Sequence, residues 1–318
     1  MNSRLVLYMS LLVAVLAVGL AAARLTPPGT TSPAVVHASL PKEPTSYLGV
    51  YVNGAPPGYQ PVADFTQVAG KQPNLVGYFS GWAQPFAITF AQEIRKHGVI
   101  PFVQIDPTYA SVAAIANGSY DTYLRGYADS VRTFGHPVVI GFGHEMNAPW
   151  YSWGYTHLAP QTFIAAWRHI VTLFRSQGAE NVTWLWTINT DRSNTGPIQD
   201  WWPGASYVSW VGIDGYYYGP ADTFDRVFVP TLAQVRAFTQ APVLLSETAV
   251  GPAAGSPIIK IGNLFQGMTA YQTLGLVWFD KNQSRKGGIY RQDWRIEDSP
   301  QARVEFQLGI AGLNLVRP

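Results

Sequence analysis

GFGHEMNAPWYSW, from Gly141 to Trp153, joins the end of an apolar run to a His-Glu pair and then to a cluster of aromatic residues. The run that leads into it, Pro137 to Phe142, is short, rich in β-branched residues and free of charge. Such a run suits a strand buried on both faces of a parallel sheet. In α/β folds ligands bind outside the carboxyl ends of these strands. His144, Glu145 and Asn147 emerge at that place, so function is sought there first.

Working outward, similar runs recur at Tyr47 to Val52, Leu75 to Ser80, Ile100 to Asp106, Val182 to Asn189, Val208 to Tyr216, Pro242 to Glu247 and Gly275 to Asp280. With Pro137 to Phe142 they make eight, alternating with longer amphipathic segments, and predict a (β/α)8 TIM barrel in a single catalytic domain. The helices carry punctuation. Phe86 to His97 stops at Gly98, a helix from Ser119 stops near Gly135, and Pro160 opens a run closing at Gly178. Phe224 to Thr239 and Ile258 to Thr273 have helical apolar spacing, and Ser299 with Pro300 caps a final helix. The weakest connections follow the first strand, around Pro61 to Ala69, and the fifth, around Gly196 to Pro203. A doubly wound open sheet is disfavoured, because GVYVNGAPPG after the first strand carries no glycine-rich phosphate fingerprint.

The 318 residues suffice for one such barrel. Lys and Arg number 21 against 19 Asp and Glu, which gives no electrostatic reason to expect nucleic acid or an anionic membrane surface as partner. The chain holds 11 Trp, 17 Tyr and 15 Phe, and those after strand ends suit stacking on sugar rings, while most must be core. Without Cys there is no disulfide, thiolate nucleophile or Cys-ligated metal. The zincin pattern would need a second His where Ala148 stands, and no GxSxG elbow exists. No metal and no cofactor are expected. Arg4 followed by the apolar run Leu5 to Ala23, with Ala21 and Ala23 before Arg24, reads as an export signal over residues 1–23 or, uncleaved, as a membrane anchor. Residues 24–46 are proline-rich and read as a linker to a catalytic unit over 47–318. The expectation is a monomer, secreted or tethered to the membrane by its N-terminal segment.

Hydrolysis of a glycosidic bond usually needs two carboxyl groups, one to protonate the leaving oxygen and one to attack or to activate water. Glu145 follows the fourth strand, and Glu247 ends the seventh. They lie 102 residues apart, across three βα units, which is ordinary for a barrel of about 250 residues. Taken plainly, Glu145 could be a rim carboxylate paired with a cation, and Ser246-Glu247-Thr248 a simple polar strand end. Their position after buried strands favours chemistry.

Several runs together resemble glycoside hydrolase family 26, whose members include endo-β-mannanases, mixed-linkage β-glucanases and some xylanases. HEMNAPWYSWG from His144 is similar to the family's acid/base motif, and VLLSETAV from Val243 to its nucleophile strand. WVGIDGYYY from Trp210, WLWTIN from Trp184, and VWFDKN from Val277 with DWRIEDSP from Asp293 extend the likeness over residues 47 to 312. The resemblance implies Glu145 as general acid/base and Glu247 as nucleophile of a retaining double displacement. It implies His144 orienting Glu145 or touching sugar, Tyr216 bonding the nucleophile, and Trp278 as a sugar platform. Asn147, Trp82, Trp150 and Trp153 are further substrate-binding candidates. Mannanases of the family usually carry Arg four residues before the acid/base, where this chain has Gly141, and a His near the end of the third strand, where it has Gln104, Asp106 and Pro107. The expected function is endo-hydrolysis of a β-linked polysaccharide, β-1,4-mannan first, mixed-linkage β-glucan or xylan second. The rival is a barrel that binds carbohydrate without cleaving it.

Overall fold

The computed structural model describes residues 40–191, 194–288 and 290–317. The expected signal or anchor segment, and the linker up to residue 39, lie outside the described residues.

Eight strands form a closed barrel in sequence order, each parallel to its neighbours. They are β1 (Tyr47–Val52), β2 (Leu75–Gly81), β3 (Ile100–Asp106), β4 (Val138–Phe142), β5 (Val182–Asn189), β6 (Trp210–Asp214), β7 (Val243–Thr248) and β8 (Gly275–Asp280). The helices that alternate with them are α1 (Gln60–Ala69), α2 (Ile88–Lys96), α3 (Val112–Ala116), α4 (Asp121–Phe134), α5 (Pro160–Ser176), α6 (Phe224–Val227), α7 (Val229–Arg236), α8 (Pro257–Ala270) and α9 (Pro300–Ala311). The barrel expected from the eight runs is therefore present. Among the described residues no helix is long and apolar enough to cross a membrane.

Two connections differ from expectation. The single helix foreseen over Phe224 to Thr239 is broken into α6 and α7, because Pro230 has no N–H to continue the first helix and starts the second. After β5 a short 3-10 turn, Ile198–Trp201, replaces an α-helix; Gly196, Pro197, Pro203 and Gly204 bracket it and leave no room for more turns.

The inside of the barrel is packed by aromatic residues. Tyr47 and Tyr51, four apart on β1, point the same way, as strand alternation requires. The ring of Tyr47 lies 4.8 Å from that of Trp210 on β6, and Tyr51 meets Phe79, Phe102 and Phe279 at 5.1, 5.7 and 5.9 Å. Gly77 makes room for it: a Cβ there would stand 2.5 Å from the Tyr51 ring.

Gly141 has the same logic. It pairs with Gln104 in the β3–β4 register, and the Gln104 side chain lies over it, so that a Cβ would fall 1.9 Å from Oε1 and 3.1 Å from the Leu185 carbonyl oxygen. Gln104 is fully buried and donates Nε2 to Thr187 Oγ1 at 2.9 Å, so it cannot swing away freely. The space that an Arg side chain at position 141 would need is filled by Gln104. Gly141→Ala is expected to cost about 1–3 kcal/mol by overpacking, with much of it recovered when Gln104→Ser is added. Urea unfolding of the single and double variants checks this, and a single variant as stable as the parent would contradict the packing account.

Candidate active site

The chain leaves β4 through a tight left-handed turn. Gly143 has φ 54° and Glu145 φ 55°, a conformation that costs a residue with a side chain roughly 1–2 kcal/mol. Neighbouring strands hold the turn: Gly143 N donates to Ile105 O at 2.8 Å and Glu145 N to Thr187 O at 2.9 Å. The Glu145 carboxylate receives two donors, Asn189 Nδ2 on Oε1 at 2.5 Å and Trp150 Nε1 on Oε2 at 2.7 Å. Asn189 ends β5 and is itself pinned by Asn147, which accepts its N–H and donates to its carbonyl, both at 2.9 Å.

Glu247, near the end of β7, accepts the Tyr216 hydroxyl on Oε2 at 2.7 Å, while Oε1 is buried with no partner among the described residues. Burial pushes its carboxyl up to about 7; the charge of His144 pulls it down, Glu145 pushes it up, and Tyr216 and Lys281 pull it down again. Lys281 follows β8 with its Nζ 5.1, 5.4 and 5.6 Å from the ring centroids of Phe279, Phe79 and Tyr51. Beneath lies Asp214, paired with Glu247 in the strand register and accepting Ser246 Oγ at 2.6 Å. Burial, then the charges of Glu247 and Glu145, hold its carboxyl well above the usual carboxylate range.

His144 makes no hydrogen bond to Glu145. Its Nδ1 lies 2.8 Å from Asp106 Oδ1 and its Nε2 3.1 Å from the Tyr151 hydroxyl. Burial works against charging the ring, but Asp106, by its charge and its hydrogen bond, and then Glu145 and Glu247 outweigh it and raise the pKa to about 10. The balance favours the protonated ring.

These groups open into a cleft of about 590 Å³ at the carboxyl ends of the strands, lined by both glutamates, Asp106, His144, Asn189, Tyr216 and a wall of aromatic residues. Of the expected residues, Glu145, Glu247, His144, Trp150 and Tyr216 are brought together there. Four are not among those that line it. Asn147 is fully buried and acts on Asn189 instead of reaching substrate. Trp153 is buried, donating to the His144 carbonyl at 2.9 Å. Trp82 is half-buried among Tyr120, Tyr123 and Phe142. Trp278, expected as a platform, faces away from the barrel interior: its ring meets Phe306 on α9 at 4.9 Å, and its Nε1 donates to Trp294 O at 2.9 Å. Strand alternation is the reason, because Phe279 is the β8 residue turned toward Tyr51. Of the three consecutive tyrosines, Tyr216 and Tyr218 line the cleft, and Tyr217 is buried with its hydroxyl on Asn263 of α8.

Asn189, Tyr151, Phe79, Phe279 and Trp294 line the cleft and were not foreseen as site residues. Asn189 had a signal, a polar residue ending an apolar strand. Asp106 was singled out without a role, and the structure gives it His144. Among the described residues no three His, Asp or Glu stand where they could hold a metal ion.

The sequence model described as Glycosyl hydrolase family 26 matches residues 117–298, more than half of the chain and a stretch that holds both glutamates. The chain belongs to glycosyl hydrolase family 26. Among curated proteins it is similar to Endoglucanase H of Acetivibrio thermocellus, 29% identical over 83% of this chain and 30% of that one. It is also similar to Beta-1,3-xylanase TXYA of a Vibrio species, 30% identical over 36% of this chain and 24% of that one. The chain thus spans a third or less of the length of these two relatives. Among solved structures, the endo-beta-1,4-mannanase of Cellulomonas fimi, studied as a double mutant, superposes with a TM-score of 0.63 at 18% identity, covering 86% of this chain and 72% of that one. At that identity the likeness is one of fold.

Proposed function

We propose that the chain is a retaining endo-β-glycosidase in which Glu145 protonates the leaving oxygen while Glu247 attacks the anomeric carbon. The observation that carries this reading is one cleft holding both carboxylates with different donors, Asn189 and Trp150 on Glu145 and Tyr216 on Glu247. The bond from C1 to the leaving oxygen breaks as the C1–Glu247 bond forms. Water then attacks C1, giving its proton to Glu145, and Glu247 leaves as a carboxylate. The His144 imidazolium and the Lys281 ammonium offset the charge gathered around Glu247.

For the substrate, Gln104 filling the room of the mannanase Arg reverses the expected order. A β-glucan comes first, in keeping with the similarity to a protein named Endoglucanase H, and β-1,4-mannan second. Reducing-sugar release by residues 40–318 from mixed-linkage β-glucan, mannan, galactomannan and xylan tests both points. Release from none of them by folded protein would favour a barrel that binds carbohydrate without cleaving it.

The same reading sets a pH dependence. Glu247 must be ionised to attack, so kcat/KM should rise with pH through about 7. Tyr216→Phe removes a hydrogen bond to the ionised form and should move that limb upward by about one pH unit. An unmoved limb would separate Tyr216 from the nucleophile's ionisation.

A further inference from the structure

We propose that Asp106, acting through His144, fixes the hydrogen-bond polarity of the Tyr151 hydroxyl, so that Tyr151 meets the glycan as a donor. The proposal rests on the reading of this cleft as a glycan site. It makes Asp106 a positioning residue and Tyr151 a substrate contact.

The unit is built rigidly. The Tyr151 ring stacks on Trp153 at 4.4 Å and 7°, and Trp153 Nε1 donates to the His144 carbonyl at 2.9 Å. With the ring fixed, only rotation of the O–H bond remains free. The Tyr151 hydroxyl lies 3.1 Å from His144 Nε2, and no second partner for it occurs among the described residues.

Proton bookkeeping then decides the polarity. Asp106 as a carboxylate accepts from Nδ1–H in either charge state of the ring. If the ring is neutral, Nε2 carries no proton and must accept from Tyr151, whose oxygen then offers only lone pairs to the cleft. If the ring is an imidazolium, Nε2–H donates to the Tyr151 oxygen, and the phenolic hydrogen is left to point at the glycan. A sugar oxygen that has only lone pairs to give, in the ring or in a linkage, is bound in the second state alone.

The groups facing His144 favour that state. They are Asp106 from β3, Glu145 from its own turn and Glu247 from β7; Asp214 of β6, its carboxyl held well above the usual range, and the Phe79 ring of β2 at 5.1 Å also face it. Burial is the opposing influence, and Asp106 is the neighbour in direct contact. Asp106→Asn keeps an oxygen that can accept from Nδ1–H but removes the charge, so it preserves the shape while releasing the proton.

The test starts without substrate. In the 15N-labelled full chain, the His144 ring nitrogens, assigned by loss of their signals in His144→Gln, are followed by NMR from pH 5.5 to 9. The proposal expects both to stay protonated throughout, and Asp106→Asn to lose one proton within that range. Neutral His144 below pH 8 in the parent protein would overturn it. The second arm uses whichever glycan is cleaved. The kcat/KM of Asp106→Asn should fall about tenfold relative to the parent's as pH rises through the new midpoint, whereas Tyr151→Phe should lose about tenfold at every pH. A pH profile for Asp106→Asn parallel to the parent's, despite a lowered His144 midpoint, would also overturn it. If Asp106→Asn does not fold, Tyr151→Phe decides: unchanged kcat/KM refutes the contact. If no glycan is cleaved, the proposed function fails while the NMR titration still decides the polarity.

Discussion

Glu247→Gln is expected to lower turnover by roughly 10⁴-fold or more, because the amide cannot form the covalent intermediate on which both steps depend. The structure separates this loss from misfolding. Glu247 is buried, and its carboxyl is pushed up to about 7 in the folded protein, above its value in the unfolded chain. A carboxyl with a raised folded pKa contributes stability below the unfolded pKa and loses it as pH rises through the folded one. At pH 8 the parent therefore holds an unfavourable buried charge, which Gln does not. The variant should melt no lower than the parent at pH 8 while being inactive. An inactive variant that also melts well below the parent would leave the activity loss to unfolding and remove its support for the nucleophile assignment.

Glu145→Ala is expected to cost about 10²–10⁴-fold on polysaccharide, the usual worth of a positioned general acid. The loss should shrink on an aryl β-glycoside whose phenolate leaves without protonation, since only the second step then needs Glu145. Added azide, a nucleophile that needs no base, should speed that second step and yield a β-glycosyl azide. Equal losses on both substrates, with no azide product, would take the acid/base role from Glu145. The same variant also removes the partner of Asn189 and Trp150. The substrate comparison is needed because simple loss of order in the turn would affect both substrates alike.

The two glutamates were legible in the sequence because each sits at or just past the end of an apolar strand, and period and punctuation locate strand ends; Tyr216 was reached only through the resemblance to family 26. The donors to Glu145 were only partly legible. Trp150 stands five residues away in the same loop, but Asn189 arrives from β5, 44 residues on. Trp278 shows the limit from the other side. The motif around it matched, yet one step in strand register turns its ring to α9 and brings Phe279 toward the interior.

By itself, the sequence determined the closed barrel, because eight short, predominantly apolar runs separated by capped amphipathic segments have few other ways to bury both faces of a parallel sheet. It also determined which rim carries the carboxylates. Only the tertiary structure decided what surrounds them. Gln104 filling the space over Gly141, Asp106 charging His144, and Lys281 resting on three rings are contacts between strands remote in sequence. Periodicity specifies which face of a strand a residue occupies, whereas closure of the barrel specifies which faces meet, and the charge on a buried group depends on the second.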